Sequence, residues 1–579
     1  MVKSSQAHRG FLSFLVLSAR LLWIVAIVWV LTGSAWSATK PNIVLITVDS
    51  VRADRVGFLS ASSKATPNLD SLAKRSLVFE QAYAQAPLTV VSHATLLSGT
   101  YPQTHKATQF AAPLAAGLPY LPEILRGQGY RTAAFVGSIE LDPKNGLAPG
   151  FDRGFEQYDA GFHQPVKGEL RTQSVARRGS LVVARAIGWL DTTKSPFFLW
   201  VNLHDAAAAT TTAANRLGVS ASDAAIGKLV AALTAHKLLD SSLIVVAADH
   251  GESLGAHNEQ THGIFLYDET IHIPLLMKMP GNQDAGKRVR GKVGLVDVAP
   301  TVLEIAGAPV PAQMQGQSLL RVAKSGSDQP VYSRTQFPTR AFGWSTVESW
   351  RASKYLYIHA PHPELYDLTA DPTASRNLAQ TSKAIADTMA TQLSAFDKRF
   401  SESGSSTAGL SSSEAQKLAS LGYVGLQKSG GTAPAATGTD PKDEIATANK
   451  VLAAVALLED GKPEKAMEAL QSFAGSSSKL YLAQFAAGVA LSQQQQWAKS
   501  IEHLHTAIEL MPDSAWAHYY MGNCLLKTGD YKTAAVHLEI AASRLPEFKE
   551  AHGLLADAYE HLGRADEAKR ERSKAGPKP

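Results

Sequence analysis

Residues Pro41–Asp54 read PNIVLITVDSVRAD, and this stretch predicts the fold of the first part of the chain. The run Asn42–Val48 is almost entirely apolar, which is typical of a strand in a sheet that helices cover on both faces. Asp49 follows the run directly. Open α/β sheets bind their ligands outside the carboxyl ends of the strands, so the stretch predicts an α/β domain with chemistry at that edge.

Similar apolar runs recur along the chain, at Tyr130–Val136, Phe197–Leu203, Leu243–Ala247 and Ile273–Met277. Helical patterns lie between them, for example at Thr66–Ser76, Leu121–Gln128 and Ser222–His236. Strands that alternate with helices predict a sheet sandwiched by helices. We place this α/β domain at residues 41–400.

Two of the later strands end in groups that bind metals. His204 and Asp205 follow the third predicted strand, and Asp249 and His250 follow the fourth. Carboxylates that meet at one edge repel each other, and a cation between them relieves this repulsion. Mixed Asp and His ligands favour zinc or manganese, as one or two ions, over calcium. Each aspartate taken alone also suits a helix cap or a turn.

The segment Pro87–Pro102, PLTVVSHATLLSGTYP, offers a candidate nucleophile. Thr89, Ser92 and His93 open an apolar helical stretch. A helix N-terminus favours an anion, and a hydroxyl there becomes a good nucleophile when a metal lowers its pKa. The alternative is that Thr89 or Ser92 only caps the helix.

Residues 1–37 have the pattern of an export signal. A basic start is followed by the uncharged apolar run Leu21–Leu31 and by small residues up to Ser37. An uncleaved anchor over residues 11–33 is the alternative, with Arg20 as the objection. Either way we expect a periplasmic or secreted protein, with or without an anchor in the inner membrane.

The C-terminal part of the sequence repeats every 34 residues, as Gly488, Gly522 and Ala556 illustrate. The period and its small residues resemble the tetratricopeptide repeat, with about four units within residues 443–579. Such an all-α solenoid offers a groove for a peptide or a partner protein. Residues 401–442, which include KSGGTAPAATGTD, are expected to form a C-terminal extension and a flexible linker.

The composition excludes several classes of protein. The 579 residues carry a net charge of only +5, so we expect no nucleic-acid partner. Cys524 is the single cysteine of the sequence. It excludes intrachain disulfides, a Cys-based zinc finger and an iron–sulfur cluster.

Seven motifs together resemble the sulfatase branch of the alkaline phosphatase superfamily. They are PNIVLITVDSVRAD from Pro41, TPNLDSLA from Thr66, LLSGTYPQTH from Leu96, ADHGESLGAH from Ala248, THGIFLYDE from Thr261, VDVAPTVLEIAG from Val296 and PELYDLTADP from Pro363. The resemblance implies an alkaline-phosphatase-like sheet. It implies an enzyme that acts on phosphoric or sulfuric esters by hydrolysis or transfer.

The resemblance also implies roles for individual residues. Asp49, Asp249 and His250 match the metal ligands of the family, and Thr89 falls at the position of the nucleophile, where it would also contact the metal. Sulfatases place there a Cys or Ser that becomes formylglycine, which a threonine cannot form, so we expect no formylglycine. The threonine resembles the phosphodiesterases and phosphoethanolamine transferases of the superfamily.

Five further residues have expected roles near this centre. Asp205 and His262 could hold a second metal ion, with His204 as a poorly placed substitute for a missing histidine. His93 is expected to contact the ester oxygens and His257 to assist proton transfer, although structural roles are an equal alternative for both. The competing interpretation of the whole chain is a catalytically degenerate scaffold whose repeats bind partner proteins.

Overall fold

The computed structural model describes residues 40–107, 110–162, 177–207, 211–401, 411–421, 438–473 and 478–576. The predicted signal or anchor over residues 1–37 lies outside this described part, and so does most of the predicted linker.

A mixed β-sheet forms the centre of the first domain. Its strands are β1 (Ile43–Val48), β2 (Leu77–Tyr83), β3 (Arg131–Phe135), β4 (Gln157–Asp159), β5 (Phe197–Leu203), β6 (Leu243–Ala248), β7 (His272–Lys278), β8 (Arg288–Val289) and β9 (Val293–Gly294). The strand order is β4-β3-β5-β1-β6-β7-β2-β8, and β9 pairs with β2. The five predicted strands are confirmed with small shifts at their ends, and β2, β4, β8 and β9 are additional.

Strand β1 lies between β5 and β6, and all three are parallel. Every residue of these strands is buried, so both faces of the sheet are covered, as the apolar runs predicted. The register pairs Val48 with both Leu203 and Ala248. The residues that follow these three strands therefore come level at one edge of the sheet.

Helices surround this sheet within the described residues. They are α1 (Pro67–Ala73), α2 (Thr89–Ser98), α3 (Pro102–His105), α4 (Leu121–Gly127), α5 (Gly179–Leu190), α6 (Thr212–Ala235), α7 (Asp268–Ile271), α8 (Val298–Ile305), α9 (Leu319–Ser325) and α10 (Phe337–Phe342).

Helix α6 begins ten residues before the predicted start at Ser222, a correction to the sequence analysis. Thr211 caps it, because its side chain accepts a hydrogen bond from Ala214 N. The helix is long and apolar enough to cross a membrane by length and composition alone. However, Ile226, Leu229 and Leu233 are fully buried in the domain core, so it packs as a core helix.

A second, antiparallel sheet follows the first. It consists of β10 (Val331–Thr335), β11 (Val347–Ala352), β12 (Tyr355–His359) and β13 (Glu364–Asp367). Helix α11 (Lys383–Ser401) packs on it through Met389 and Leu393, which share a cluster with Tyr332 and Trp350.

The repeats form four helical hairpins within residues 438–473 and 478–576. Their helices are α13 (Ile445–Glu459), α14 (Pro463–Leu470), α15 (Tyr481–Gln493), α16 (Trp497–Leu510), α17 (Ala515–Thr528), α18 (Tyr531–Arg544), α19 (Lys549–His561) and α20 (Ala565–Ala575). A Cβ on Gly488 would lie 2.7 Å from Leu504, and one on Gly522 would lie 2.5 Å from Leu538. The repeating small residues therefore let paired helices approach closely, as the period predicted.

The repeats pack against the α/β domain. Phe110 contacts both Tyr481 of α15 and Phe337 of α10, with ring centroids 5.6 and 5.8 Å apart. Both oxygens of Asp513 accept hydrogen bonds from Arg340 Nη2 at 3.0 Å. These contacts place repeat residues in the same hydrophobic core as the sheet.

Part of the expected C-terminal extension is helical, whereas most of the segment KSGGTAPAATGTD lies outside the described residues. Helix α12 (Ser412–Ser420) lies on α18, where its Leu418 is fully buried. Arg544 Nε and Nη2 donate to the two oxygens of Glu414, each at 3.0 Å. A buried apolar anchor and a two-point ion pair explain why this segment is ordered.

Candidate active site

Asp49, Asp249 and His250 meet at the carboxyl edge of the sheet, as predicted. One ligand atom from each lies within 4.8 Å of the others, and all three side chains are buried. His250 Nε2 is 3.6 Å from Asp49 Oδ1 and from Asp249 Oδ2. The level ends of β1 and β6 produce this grouping.

The two carboxylates differ in their surroundings. Asp249 Oδ1 accepts hydrogen bonds from Ser50 N and His250 N, whereas its buried Oδ2 has no hydrogen-bond partner among the described residues. Burial and the charge of Asp49 raise the pKa of Asp249 well above its usual range. Burial also raises the pKa of Asp49, but His204, His250 and His262 outweigh it and hold that pKa well below its usual range.

This donor set fits a divalent metal. An unpartnered buried carboxylate oxygen beside a second carboxylate is unfavourable, and a cation or a proton must offset it. Two carboxylates and one imidazole are ligands that zinc and manganese accept. Asp49, Asp249 and His250 would therefore hold the ion.

His250 presents a lone pair to this centre. Its Nδ1 lies 2.8 Å from Gly251 O and must donate to that carbonyl, which leaves Nε2 unprotonated in the neutral ring. Burial and the neighbouring His262 lower the pKa of His250 to about 3, so the ring is neutral at pH 7. Thr89 Oγ1 lies 3.2 Å from Nε2 and donates its proton there.

Thr89 is the first residue of α2, at the positive end of a buried helix. No side chain caps this helix, and Ser92 Oγ instead donates to Ala86 O at 2.6 Å. The capping alternative for Thr89 and Ser92 is therefore wrong. The Thr89 hydroxyl faces the metal-ligand group.

His93 lies in the protein interior beside Thr89. Its Nδ1 donates to Thr89 O at 2.8 Å, and its Nε2 is bonded to Thr47 Oγ1 at 2.9 Å. The ring is fully buried. Because both ring nitrogens are bonded inside the protein, the structure favours the structural alternative for His93 over a contact with ester oxygens.

His204 and Ser50 both hold Asp49. His204 Nδ1 lies 2.6 Å from Asp49 Oδ2, and Ser50 Oγ donates to Asp49 Oδ1 at 3.1 Å. Ser50 has a φ of 58°, which aims its N–H at Asp249 as well. Burial lowers the pKa of His204, but Asp49 outweighs it and raises that pKa above its usual value.

His262 lies beside His250, with ring centroids 4.3 Å apart. Its Nδ1 is 3.0 Å from Glu252 Oε2. Burial lowers the pKa of His262, but Glu252 outweighs it and raises that pKa to about 10. Glu140, a residue that the sequence analysis did not single out, raises the pKa of both His204 and His262. His262 is therefore protonated at pH 7 and forms an ion pair with Glu252.

Asp205 does not join this group. Its two oxygens accept from Gly179 N at 3.0 and 3.1 Å, and Ser222 Oγ donates to it as well. Gly179 is the first residue of α5, so Asp205 satisfies the free N–H groups of that helix terminus. The structure places Asp205 at a helix end, away from the expected second metal.

His257 lies on the loop that follows His250. Its ring stacks on Tyr267 at 3.6 Å between centroids, and its Nε2 is 3.8 Å from Glu269 Oε2. The side chain is 19% exposed. These two contacts, with Tyr267 and Glu269, favour the structural alternative for His257.

Comparison with protein families gives matches over most of the chain. Residues 41–308 match the sulfatase family, and residues 261–399 match the C-terminal part of N-sulphoglucosamine sulphohydrolase. Residues 488–529 and 525–575 match tetratricopeptide repeats. The predicted order of sulfatase-like domain and repeats is confirmed.

Curated relatives include arylsulfatase K of Canis lupus familiaris and of Homo sapiens, 33% and 32% identical over 169 residues. These alignments cover 27% of this chain and 31% of each relative, so the chain spans under a third of their length. An ulvan-active sulfatase of Formosa agariphila is 24% identical over 395 residues, which is 59% of this chain and 77% of that protein.

Solved structures share the fold at low identity. The phosphonate monoester hydrolase of Agrobacterium radiobacter has a TM-score of 0.52 and 19% identity, and covers 62% of this chain and 96% of its own. A 2-O GAG sulfatase has a TM-score of 0.52 and 20% identity, and covers 63% and 92%. The alkaline-phosphatase-like fold is thereby confirmed. Residues 41–308 thus form a sulfatase domain, which the segment matched at residues 261–399 extends, and tetratricopeptide repeats follow it.

Proposed function

We propose that this protein is a metal-dependent hydrolase of phosphate or sulfate esters, with Thr89 as its nucleophile. The observation that carries the proposal is the position of Thr89 Oγ1. It lies at a helix N-terminus, 3.2 Å from the Nε2 of His250, within a buried group that suits a metal. Family membership and the ester-cleaving relatives support the same class of reaction.

Each residue of the site has a distinct task in this proposal. Asp49, Asp249 and His250 hold the ion, which when bound lowers the pKa of a contacting hydroxyl and polarises the ester. Thr89 attacks the central phosphorus or sulfur atom, the bond from that atom to the leaving oxygen breaks, and the proton that Thr89 loses passes to this oxygen, so that the alcohol leaves. Water then attacks the same central atom of the Thr89 ester; its hydroxyl goes to the phosphate or sulfate, and its other proton restores the Thr89 hydroxyl. The ring of His262, with a pKa raised to about 10, attracts the anionic ester oxygens.

The test is turnover of an aryl phosphate and of the matching aryl sulfate by Thr89→Ala. Turnover should fall by about a thousandfold or more, because the variant lacks the hydroxyl that lies at the helix N-terminus beside His250 Nε2. Metal content, measured by atomic emission, should not change. Thr89→Ser should retain measurable activity, because it keeps the hydroxyl.

Ser98→Ala is the matched control. Ser98 lies at the opposite end of the same helix, fully buried, and its hydroxyl bonds Thr100 at 2.6 Å. Its removal should leave turnover near the wild-type value. Full activity in Thr89→Ala would contradict the proposal that Thr89 is the nucleophile.

A catalytically degenerate scaffold is the second candidate, with the repeats as the site for a protein or peptide partner. The capping role of Asp205 favours it, because a second ion would lack that ligand. Metal analysis discriminates between the two. One zinc or manganese ion per chain supports the enzyme, whereas none under metal-replete conditions supports the scaffold.

The proposal includes a location outside the cytoplasm. It is supported by the basic and apolar pattern of residues 1–37. N-terminal sequencing of the protein from a cell-envelope fraction tests it. A start near residue 38 indicates cleavage, and a retained residue 1 indicates an anchor or no export.

A further inference from the structure

The loop Ser253–Thr261 joins the two histidines of the site and has an unfavourable backbone. Ser253 N donates to Thr261 O at 2.9 Å and closes the loop. Within it His257 and Asn258 have φ angles of 51° and 65°, in the left-handed region that non-glycine residues rarely adopt. Such conformations persist when surrounding contacts hold them.

One of these contacts comes from the first repeat helix, α13. Asn449 Nδ2 donates to Asn258 O at 2.7 Å, and Asn449 Oδ1 accepts from Gln260 N at 3.1 Å. A side-chain amide offers one donor and one acceptor side by side, so it pairs with two peptide groups of the loop at once. This contact spans about 190 residues of sequence, given separations of 191 and 189.

The segment that leads into α13 is also linked to the loop indirectly, through Glu364 and Tyr267. Lys442 Nζ lies 2.6 Å from Glu364 Oε1, and Tyr267 OH donates to Glu364 Oε2 at 2.6 Å. The ring of Tyr267 carries the stacked His257. The start of the repeats thus contacts the tip of the loop directly through Asn449. It reaches His257 indirectly, through Glu364 and Tyr267.

We propose that Asn449 is a positioning residue, by which the first repeat helix holds the Ser253–Thr261 loop and, through it, His257 and His262 beside the ester. The effect on turnover rests on the proposed function. The effect on the loop itself does not. In this proposal the first repeat helix supports a loop of the active site, in addition to any surface that the repeats offer to a partner protein.

Hydrogen–deuterium exchange of the full-length Asn449→Ala variant tests the proposal. Loss of two hydrogen bonds should make the amides of residues 251–263 exchange about tenfold faster, with the rest of α13 unchanged. The KM for an aryl ester should rise roughly fivefold, with a smaller fall in kcat, because the loop leads to His262, which the proposed function places beside the ester oxygens, whereas Thr89 lies on another element.

Two further variants sharpen the test. Asn449→Asp keeps the acceptor for Gln260 N–H and loses the donor to Asn258, so its exchange rate should be intermediate. Arg340→Ala breaks the ion pair with Asp513, between the same two parts of the chain, and should leave loop exchange as in the wild type.

Unchanged loop exchange in Asn449→Ala would overturn the proposal, and so would equal acceleration in Arg340→Ala. If the wild type hydrolyses no ester, the proposed function fails. The exchange rates still decide whether Asn449 holds the loop.

Discussion

At the scale of single residues, Asp205 and Asp249 occupy similar positions in the sequence but make different contacts. Asp205 and Asp249 each follow a buried strand directly or after one histidine. Asp249 leaves one buried oxygen without a hydrogen-bond partner in the described structure, whereas Asp205 uses both oxygens on a helix N-terminus. The position of an aspartate after a strand predicts that it lies at the carboxyl edge of the sheet, but not which group its carboxylate faces.

This difference gives a prediction about metal binding. The wild type should gain about 2.7 kcal/mol of unfolding free energy at a free metal concentration of about 100 times Kd. Asp249→Asn should lose this gain, because the amide cannot replace an anionic ligand. Thermal unfolding with zinc or manganese, and with chelator, measures it.

Asp205→Asn is the comparison. It should cost about 1 kcal/mol, as for a lost helix cap, equally with and without metal. A lost metal response in Asp205→Asn, or a retained one in Asp249→Asn, contradicts the assignment of the ligands.

At the scale of elements, the sequence period of the repeats extends to a polar pair inside the last three of the four described hairpins. Gln484 bonds His503, His518 bonds His537, and His552 bonds Glu571. These pairs recur every 34 residues in both positions. The 34-residue period was enough to identify the hairpins. The hydrogen bonds of the histidines could be identified only from the packed helices.

The buried pair His518 and His537 predicts that acid lowers the stability of the repeats. Burial lowers the pKa of His518 to about 4 from its usual 6.5, with Arg544, Glu414 and Asp513 nearby. Burial and the neighbouring His518 lower the pKa of His537 well below its usual value. A lowered folded pKa means that stability is complete above pH 6.5 and falls as the pH drops. At pH 5 the loss from His518 is about 2 kcal/mol.

Denaturant unfolding between pH 7.5 and 5 measures this loss. His518→Gln supplies the matched control, because Gln484 occupies the equivalent position one repeat earlier and bonds a histidine there. The variant should unfold with a weaker dependence on pH. An unaltered pH dependence shows that His518 does not contribute to it.

In the first domain, the apolar runs predicted the fully buried strands and missed strands that contain polar residues. β2 was missed because Glu80 and Gln81 interrupt its apolar run at half-buried positions. Helix α6 was predicted too short because its first residues, TAANRL, carry few apolar side chains. Their helical state depends on packing and on the Thr211 cap.

At the scale of the whole molecule, the α/β domain and the repeats share one hydrophobic core. A protease site inserted between residues 428 and 436 should therefore give two fragments that stay together. Phe110, Tyr481 and the Arg340–Asp513 pair would hold them. Size-exclusion chromatography after cleavage tests this, and separate elution of the two fragments would contradict a shared core.

The sequence by itself determined the order of domains, the central strands, the repeat hairpins and the edge where Asp49, Thr89, Asp249 and His250 meet. These features depend on local patterns, namely apolar runs, a fixed period and motifs that follow strands. Only the tertiary structure decided that Asp205 caps a helix and that Asn449 holds the loop of His257. Such contacts join residues far apart in sequence, so the distance and direction of side chains in space decide them.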